Sequence, residues 1–189
     1  MGRREIMRSD DELYSTFLAG DGTAYDELMI RHGDDLLVYL NGYTHNFHDA
    51  EDLMIEAFAR IMVKKPSIGA GSFRAYLFRT GRNLATRFHF RSHRAVIFSM
   101  DDLDREITDG TLPEQIAWDN EKAGILNVCL ERIDPQLREA LWLVYCEGMT
   151  YAQAADIMGV SSRKIDKLLA KGKLLLKEEL GKEGVTNPY

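Results

Sequence analysis

The stretch Ser72–Arg94, SFRAYLFRTGRNLATRFHFRSHR, decides how the rest of the chain is read. It carries Arg74, Arg79, Arg82, Arg87, Arg91 and Arg94 without a single acid, and the aromatic residues Phe73, Tyr76, Phe78, Phe88 and Phe90. The chain as a whole is acidic, with a formal net charge of -6 over 189 residues, so the cation is concentrated locally. No proline interrupts the stretch, and Gly81 is the one weak helix former in its middle, which predicts a long helix. At about 100° per residue, Phe73, Leu77, Leu84 and Phe88 share a stripe, the expected core face. Arg79, Arg82, Asn83, Thr86 and Phe90 fall on the opposite side. Such a face suits nucleic acid, because arginine pairs with phosphate and flat rings stack on unpaired bases. A solvated basic helix that buries some aromatics accounts for the same pattern, so this stretch alone leaves both readings open.

Working back from it, Lys64–Gly71 (KKPSIGAG) combines proline and glycines and predicts a flexible loop. Before the loop, Asp49–Val63 predicts a helix with Asp49 as N-cap and with Glu51 and Asp52 in its first turn, where the helix dipole favours acids. Its core stripe is Leu53, Ala57, Phe58 and Ile61, while Asp52, Glu56 and Arg60 lie four apart on another face. Gly42–Phe47 is expected to be a loop. Further back, Thr23 is expected to cap a helix running past Gly33 to Leu40. Ser9-Asp10-Asp11-Glu12 has the form of a capping box that opens a first helix.

Working forward, the character changes after Phe98. Acids from Asp101 to Glu114 crowd a segment with Gly110 and Pro113, and residues 99–114 read as an acidic linker. Beyond it, Pro113–Ile133 predicts a helix, and Asp134-Pro135 starts another, with Pro135 at its first position, running to Glu147-Gly148. Thr150 should cap Tyr151–Met158, Gly159-Val160-Ser161 turns the chain, and Ser161 or Ser162 caps a last helix through Leu180. Helix, glycine turn, helix is a helix-turn-helix, with the small Ala154 and Ala155 allowing close approach and Val160 plugging the turn. The expected fold is therefore all-α: a helical domain over 1–98, the linker over 99–114, and a helix-turn-helix domain over 115–189.

Composition narrows the function classes. A hydrophobic content of 45% supports a globular core. The start, MGRREIMRSDDELYS, has no apolar core and does not read as a secretory signal, and no apolar run approaches the ~20 residues of a membrane span. Cys129 and Cys146 sit among apolar residues and read as reduced core thiols, which fits the cytoplasm. Net acidity means that any DNA contact comes from local patches. His45, His48, Asp49, Glu51 and Asp52 cluster in sequence and offer metal-ligand types, but the acids have other roles and no HExxH pattern is present. With no Walker loop, no GxSxG and no cysteine paired to a base, neither an enzyme nor a bound cofactor or metal is expected.

Three segments, in this order and spacing, resemble the short two-domain bacterial sigma factors of the extracytoplasmic-function group. His48–Leu53 with Glu56-Ala57-Phe58 is similar to the family's helix that grips the polymerase clamp. Phe73–Asn83 is similar to its promoter-melting helix, and Leu137–Ala140 with Glu147–Ala155 to its helix-turn-helix. The resemblance implies a transcription initiation factor whose partners are core RNA polymerase, promoter DNA and an anti-sigma protein that covers the same faces. Polymerase binding would fall to Asp49, Glu51, Asp52, Glu56 and Arg60. The minus-ten element would fall to Ser67, Ile68, Gly69, Gly71, Tyr76, Arg79, Arg82, Asn83, Thr86 and Arg87, with the loop and Asn83 placed to read an unpaired base. The upstream (minus-35) element would fall to Thr150, Ser161, Ser162, Arg163, Lys164, Lys167 and Lys171. This chain departs from the family at Ile55, where glutamine is usual, and at Asp166 and Leu168, positions that are often basic. A stand-alone helix-turn-helix regulator would explain the second domain equally well but not the basic aromatic helix beside its glycine loop.

Overall fold

The structure is a computed structural model that describes residues 8–98 and 121–184. The expected linker 99–114 and the start of the expected helix Pro113–Ile133 lie outside the described residues, as does the side chain of Phe90. The chain divides into two compact units, at Gly110 and Thr111, and every described element is helical or a turn.

The first unit contains α1 (Asp10–Leu18), α2 (Gly22–Thr44), α3 (Phe47–Lys64) and α4 (Phe73–Phe98). Helix α1 opens on the full capping box: Ser9 accepts from the Glu12 N–H, and the Glu12 carboxylate accepts in return from the Ser9 backbone. The start of α2 differs from expectation. Asp21 is the N-cap and accepts from the Thr23 N–H, so Thr23 already stands inside the helix. The expected loop Gly42–Phe47 is also shorter. Helix α2 continues to Thr44, and His45, in the left-handed region at φ 50°, with Asn46 makes the whole connection. Asn46 rather than Asp49 caps α3, accepting from the Asp49 N–H at 3.1 Å. Asp49 therefore sits in the first turn, and Glu51 and Asp52 fall beyond it, where the helix dipole no longer explains them.

The core of this unit is aromatic at its centre. Phe17, Tyr25 and Phe58 are buried and pack in series, the first pair tilted and the second edge-to-face, with ring centroids 4.5 Å and 6.1 Å apart. The Tyr25 hydroxyl donates to the Phe58 carbonyl at 2.6 Å, which satisfies the one polar atom the ring takes inside. Burial pushes the Tyr25 phenol far above its ordinary range. Phe73, Leu77 and Leu84 are buried as their stripe predicts, and Phe88 is half-buried. Gly81 is buried where α4 crosses α2. A β-carbon there would stand 3.0 Å from Leu36 Cδ1 and 3.3 Å from Leu40 Cδ2, so the residue is a packing requirement.

The second unit contains α5 (Glu121–Glu131), α6 (Pro135–Leu141), a π-helical turn (Trp142–Cys146), α7 (Tyr151–Met158) and α8 (Ser162–Lys182). Asp134 caps α6 by accepting from the Gln136 N–H, with Pro135 in the first turn. The helix expected to run on to Glu147 instead widens after Leu141. A π turn holds more residues than an α turn, so the side chains from Trp142 to Cys146 leave the register of α6. Cys129 is buried as read, but Cys146, placed by that turn, is exposed. Glu147 is drawn in, and its carboxylate accepts from the Trp142 indole N–H at 2.8 Å.

Candidate nucleic-acid interface

The α7–α8 pair is built around small and branched apolar residues. Ala154, Ala155 and Ile157 on α7 and Ile165, Leu168 and Leu169 on α8 are buried. Thr150 and Gln153 form a reciprocal capping box at the start of α7, and Gly159 closes its end. Ser161, not Ser162, caps α8 and accepts from the Lys164 N–H at 3.2 Å. The hydroxyls of Thr150 and Ser161, both on the expected DNA face, are thus engaged in shaping the two helix starts. Val160, expected to plug the turn, is half-buried.

Outside this core, Ser162, Arg163, Lys164, Asp166, Lys167 and Lys171 of α8 are all exposed. Lys164, Lys167 and Lys171 line an open cleft of about 220 Å³ together with Leu168, with Asp134, the cap of α6, and with Gln136 and Leu137 of that helix. Three ammonium groups along one helix edge form a cradle of positive charge of the kind that neutralises phosphates. Leu168 is 6% exposed, so its apolar character is a demand of the helix–helix contact.

In the first unit, Arg79, Asn83 and Arg87 are exposed on α4 at i, i+4 and i+8, one continuous row. Arg82, Tyr76 and Thr86 flank it, half-buried, and the Thr86 hydroxyl donates to the Arg82 carbonyl at 2.9 Å. Arg74, at the start of the same helix, pairs with Asp35 of α2 at 2.8 Å and lies over the Phe78 ring. In the loop ahead of α4, Ser67, Gly69 and Gly71 are exposed and Ile68 is half-buried. Read as flexible, this loop is in fact fastened to α1: the Tyr14 hydroxyl donates to the Pro66 carbonyl, and the Gly71 N–H donates to the Asp11 carboxylate. No local sequence signal announces these bonds, which link residues more than fifty positions apart.

On α3, Glu51, Asp52 and Glu56 are exposed and Asp49 is half-buried. Glu56 holds Arg60 through two contacts of 2.9 and 2.5 Å, an i,i+4 pair that fixes the guanidinium along the helix. Beside the acids lie three exposed apolar side chains, Ile55 at 50%, Met62 at 45% and Val63 at 79%. Of these, the departure at Ile55 was visible in the sequence, but the apolar strip it makes with Met62 was not. Among the described residues, no three His, Cys, Asp or Glu side chains come together as a metal site, and His45 and His48 stand on either side of the α2–α3 junction. No described helix is long and apolar enough to cross a membrane.

A four-helix unit with a basic, amide-bearing row beside a glycine loop, and a second unit with a helix-turn-helix, define a two-part DNA-binding protein. Residues 28–96 match the family model for Sigma-70 region 2, and residues 123–176 match that for Sigma-70 region 4, together more than half of the chain. The chain belongs to the sigma-70 family, in its extracytoplasmic-function group, whose members are transcription initiation factors that direct RNA polymerase to promoters. It is 29% identical over 160 residues to the ECF RNA polymerase sigma factor SigE of Mycolicibacterium smegmatis, a match covering 84% of this chain and 62% of that one. Against the ECF sigma factor SigM of Bacillus subtilis it is 27% identical, over 80% of this chain and 92% of that one. The fold is shared with the sigma factor RpoE of Bartonella quintana, solved with the anti-sigma factor NepR, at a TM-score of 0.69 and 21% identity over 83% of this chain and 96% of that one. It is shared too with CnrH, solved with the cytosolic domain of CnrY, at a TM-score of 0.65 and 21% identity over 92% and 97% of the two chains. A stand-alone helix-turn-helix regulator would leave the region 2 match without an account.

Proposed function

We propose a division of labour in which α3 docks on core RNA polymerase, α4 and the loop before it hold the melted minus-ten element, and α8 reads the upstream (minus-35) element. The domains are then those read from the sequence: residues 1–98, 99–114 as the link, and 115–189. The observation that carries the reading is the exposed row Arg79, Asn83, Arg87 on α4, directly after an exposed glycine loop and within the region 2 match. Two cations with an amide between them supply phosphate pairing and a base-edge donor and acceptor on one face. Asp49, Glu51, Asp52, Glu56 and Arg60 give α3 a charged surface for the polymerase, and the apolar Ile55, Met62 and Val63 beside them favour a protein over a nucleic acid as its partner. An anti-sigma protein would compete for that surface. In this reading the protein acts in the cytoplasm, alongside RNA polymerase, as a factor without catalytic chemistry of its own.

Promoter-specific transcription by core polymerase on addition of the purified chain tests the assignment. Asp52→Arg together with Glu56→Arg should abolish polymerase binding while circular dichroism stays helical, since both side chains are exposed. The like-charge contact this creates with Arg60 costs only a few tenths of a kcal/mol. Unchanged affinity for core polymerase would remove α3 from the interface.

A further inference from the structure

Helix α1 grips the loop between α3 and α4 at both ends. At the entry, the Tyr14 hydroxyl donates to the Pro66 carbonyl at 2.8 Å, and the Lys65 ammonium lies 5.0 Å from the centroid of the Phe17 ring. At the exit, the Gly71 N–H donates to both oxygens of the Asp11 carboxylate, at 2.9 and 2.8 Å. Between these anchors Ser67, Gly69 and Ala70 stay exposed, and the Ser72 N–H donates to the Gly69 carbonyl at 3.0 Å, closing a turn. Gly71 stands at φ 68°, a left-handed conformation that glycine adopts at no steric cost. Asp11 is not the cap of its own helix, where it adds only first-turn negative charge. Ser9 and Glu12 make the capping box, and Asp10 is the residue that pairs with Arg31 and His32 of α2. A carboxylate accepting from a backbone N–H is about twice as strong as a neutral hydrogen bond, and here it fixes a peptide plane inside the loop.

We propose that Asp11 is a positioning residue for promoter recognition: by holding the Gly71 N–H it sets the conformation of residues 67–70 and so the base preference within the minus-ten element, with Tyr14 as the second anchor. This rests on the reading of the loop as the part that takes an unpaired base. In that arrangement α1 governs specificity through the backbone of a loop sixty residues away.

The test uses holoenzyme assembled from the full chain and core RNA polymerase, offered a pool of single-stranded DNA with a randomised minus-ten-sized window. Asp11→Ala should lower the preference for the selected base at one position about tenfold, the scale set by a lost charge-assisted bond, while total retained DNA changes little. Asp11→Asn, which keeps an acceptor oxygen, should recover most of the preference. In hydrogen exchange of the free chain, the segment 66–72 should exchange faster in Asp11→Ala, with α2–α3 unaffected. If Asp11→Ala selects the same bases as wild type while substitutions at Ser67 or Gly69 change them, the loop reads DNA but the tether does not govern it, and the inference is overturned alone. If neither set of substitutions alters selection, the loop is not the reader, and the inference falls together with the reading beneath it.

Discussion

Asp10 joins α1 to α2 through two partners. Its carboxylate accepts from Arg31 at 2.7 Å and lies 2.8 Å from Nε2 of His32, a ring that is 6% exposed and packs against Phe73. Burial holds the His32 ring below the ordinary imidazole value of 6.5. Asp10 pulls the other way, and the nearby Arg74 and Arg31 add to the lowering. In the folded chain His32 therefore stays neutral at pH values where the unfolded chain takes up a proton. The unfolded state binds more protons in that window, so stability rises with pH there: the contribution is full above the unfolded value and is lost as pH falls below it. Glu12 and Asp21, whose carboxyls are lowered by hydrogen bonds to Ser9 and Thr23, act in the same direction but only in the carboxylate range. Urea unfolding between about pH 7 and about pH 5 should show a declining midpoint in wild type and a flatter one in His32→Gln, whatever the absolute stability of that variant. Parallel slopes would mean that His32 titrates alike in both states.

At the scale of the element, the sequence was most legible where a helix carries its own start signal. Ser9 with Glu12, Thr150 before Tyr151 and Asp134 before Pro135 each mark the boundary that the structure shows. It was least legible where tertiary contacts choose. Nothing local announces the π turn after Leu141. The Asn46 cap of α3 is a different kind of miss, since its bond to the Asp49 N–H spans only three residues and two cap-forming side chains stand close together in the sequence. The faces of α4 and α8 followed from periodicity, yet Gly81 looked like a weakness and is a contact. Gly81→Ala should gain up to about 1 kcal/mol of helix propensity and lose about 1–3 kcal/mol to overpacking against Leu36 and Leu40. A net fall in the thermal midpoint is expected, and a rise would show that the leucines repack freely. On α8, exposed Lys167 lines the same cleft as Asp134. Lys167→Ala should weaken binding to the upstream element and reduce the log–log salt slope by about 0.9, one phosphate's share. A slope equal to wild type would mean that Lys167 stays solvated in the complex.

For the molecule as a whole, the proposed function asks a chain of net charge -6 to act on a polyanionic duplex. Its acids keep it from coating DNA, and the polymerase supplies the proximity that the chain's own field does not. In the proposed reading small, local cationic faces then suffice, the row on α4 and the lysine edge of α8, each in its own unit. Melting adds a cost that these phosphate contacts cannot meet alone, because extruding a base takes a few kcal/mol of lost stacking and pairing. The loop before α4, with Asn83 on the exposed row, is where a pocket and a base-edge partner would offset it. Asn83→Ala combined with a shortened 67–71 loop should therefore leave polymerase binding and upstream-element binding intact while removing open-complex formation on duplex promoters. A promoter already unpaired over the minus-ten element should recover part of the activity, since the unpairing cost is then met in advance. Permanganate footprinting reads the difference directly: reactive thymines should be missing with the variant on duplex DNA. Normal melting by the variant would show that Asn83 and the loop do not take the extruded base.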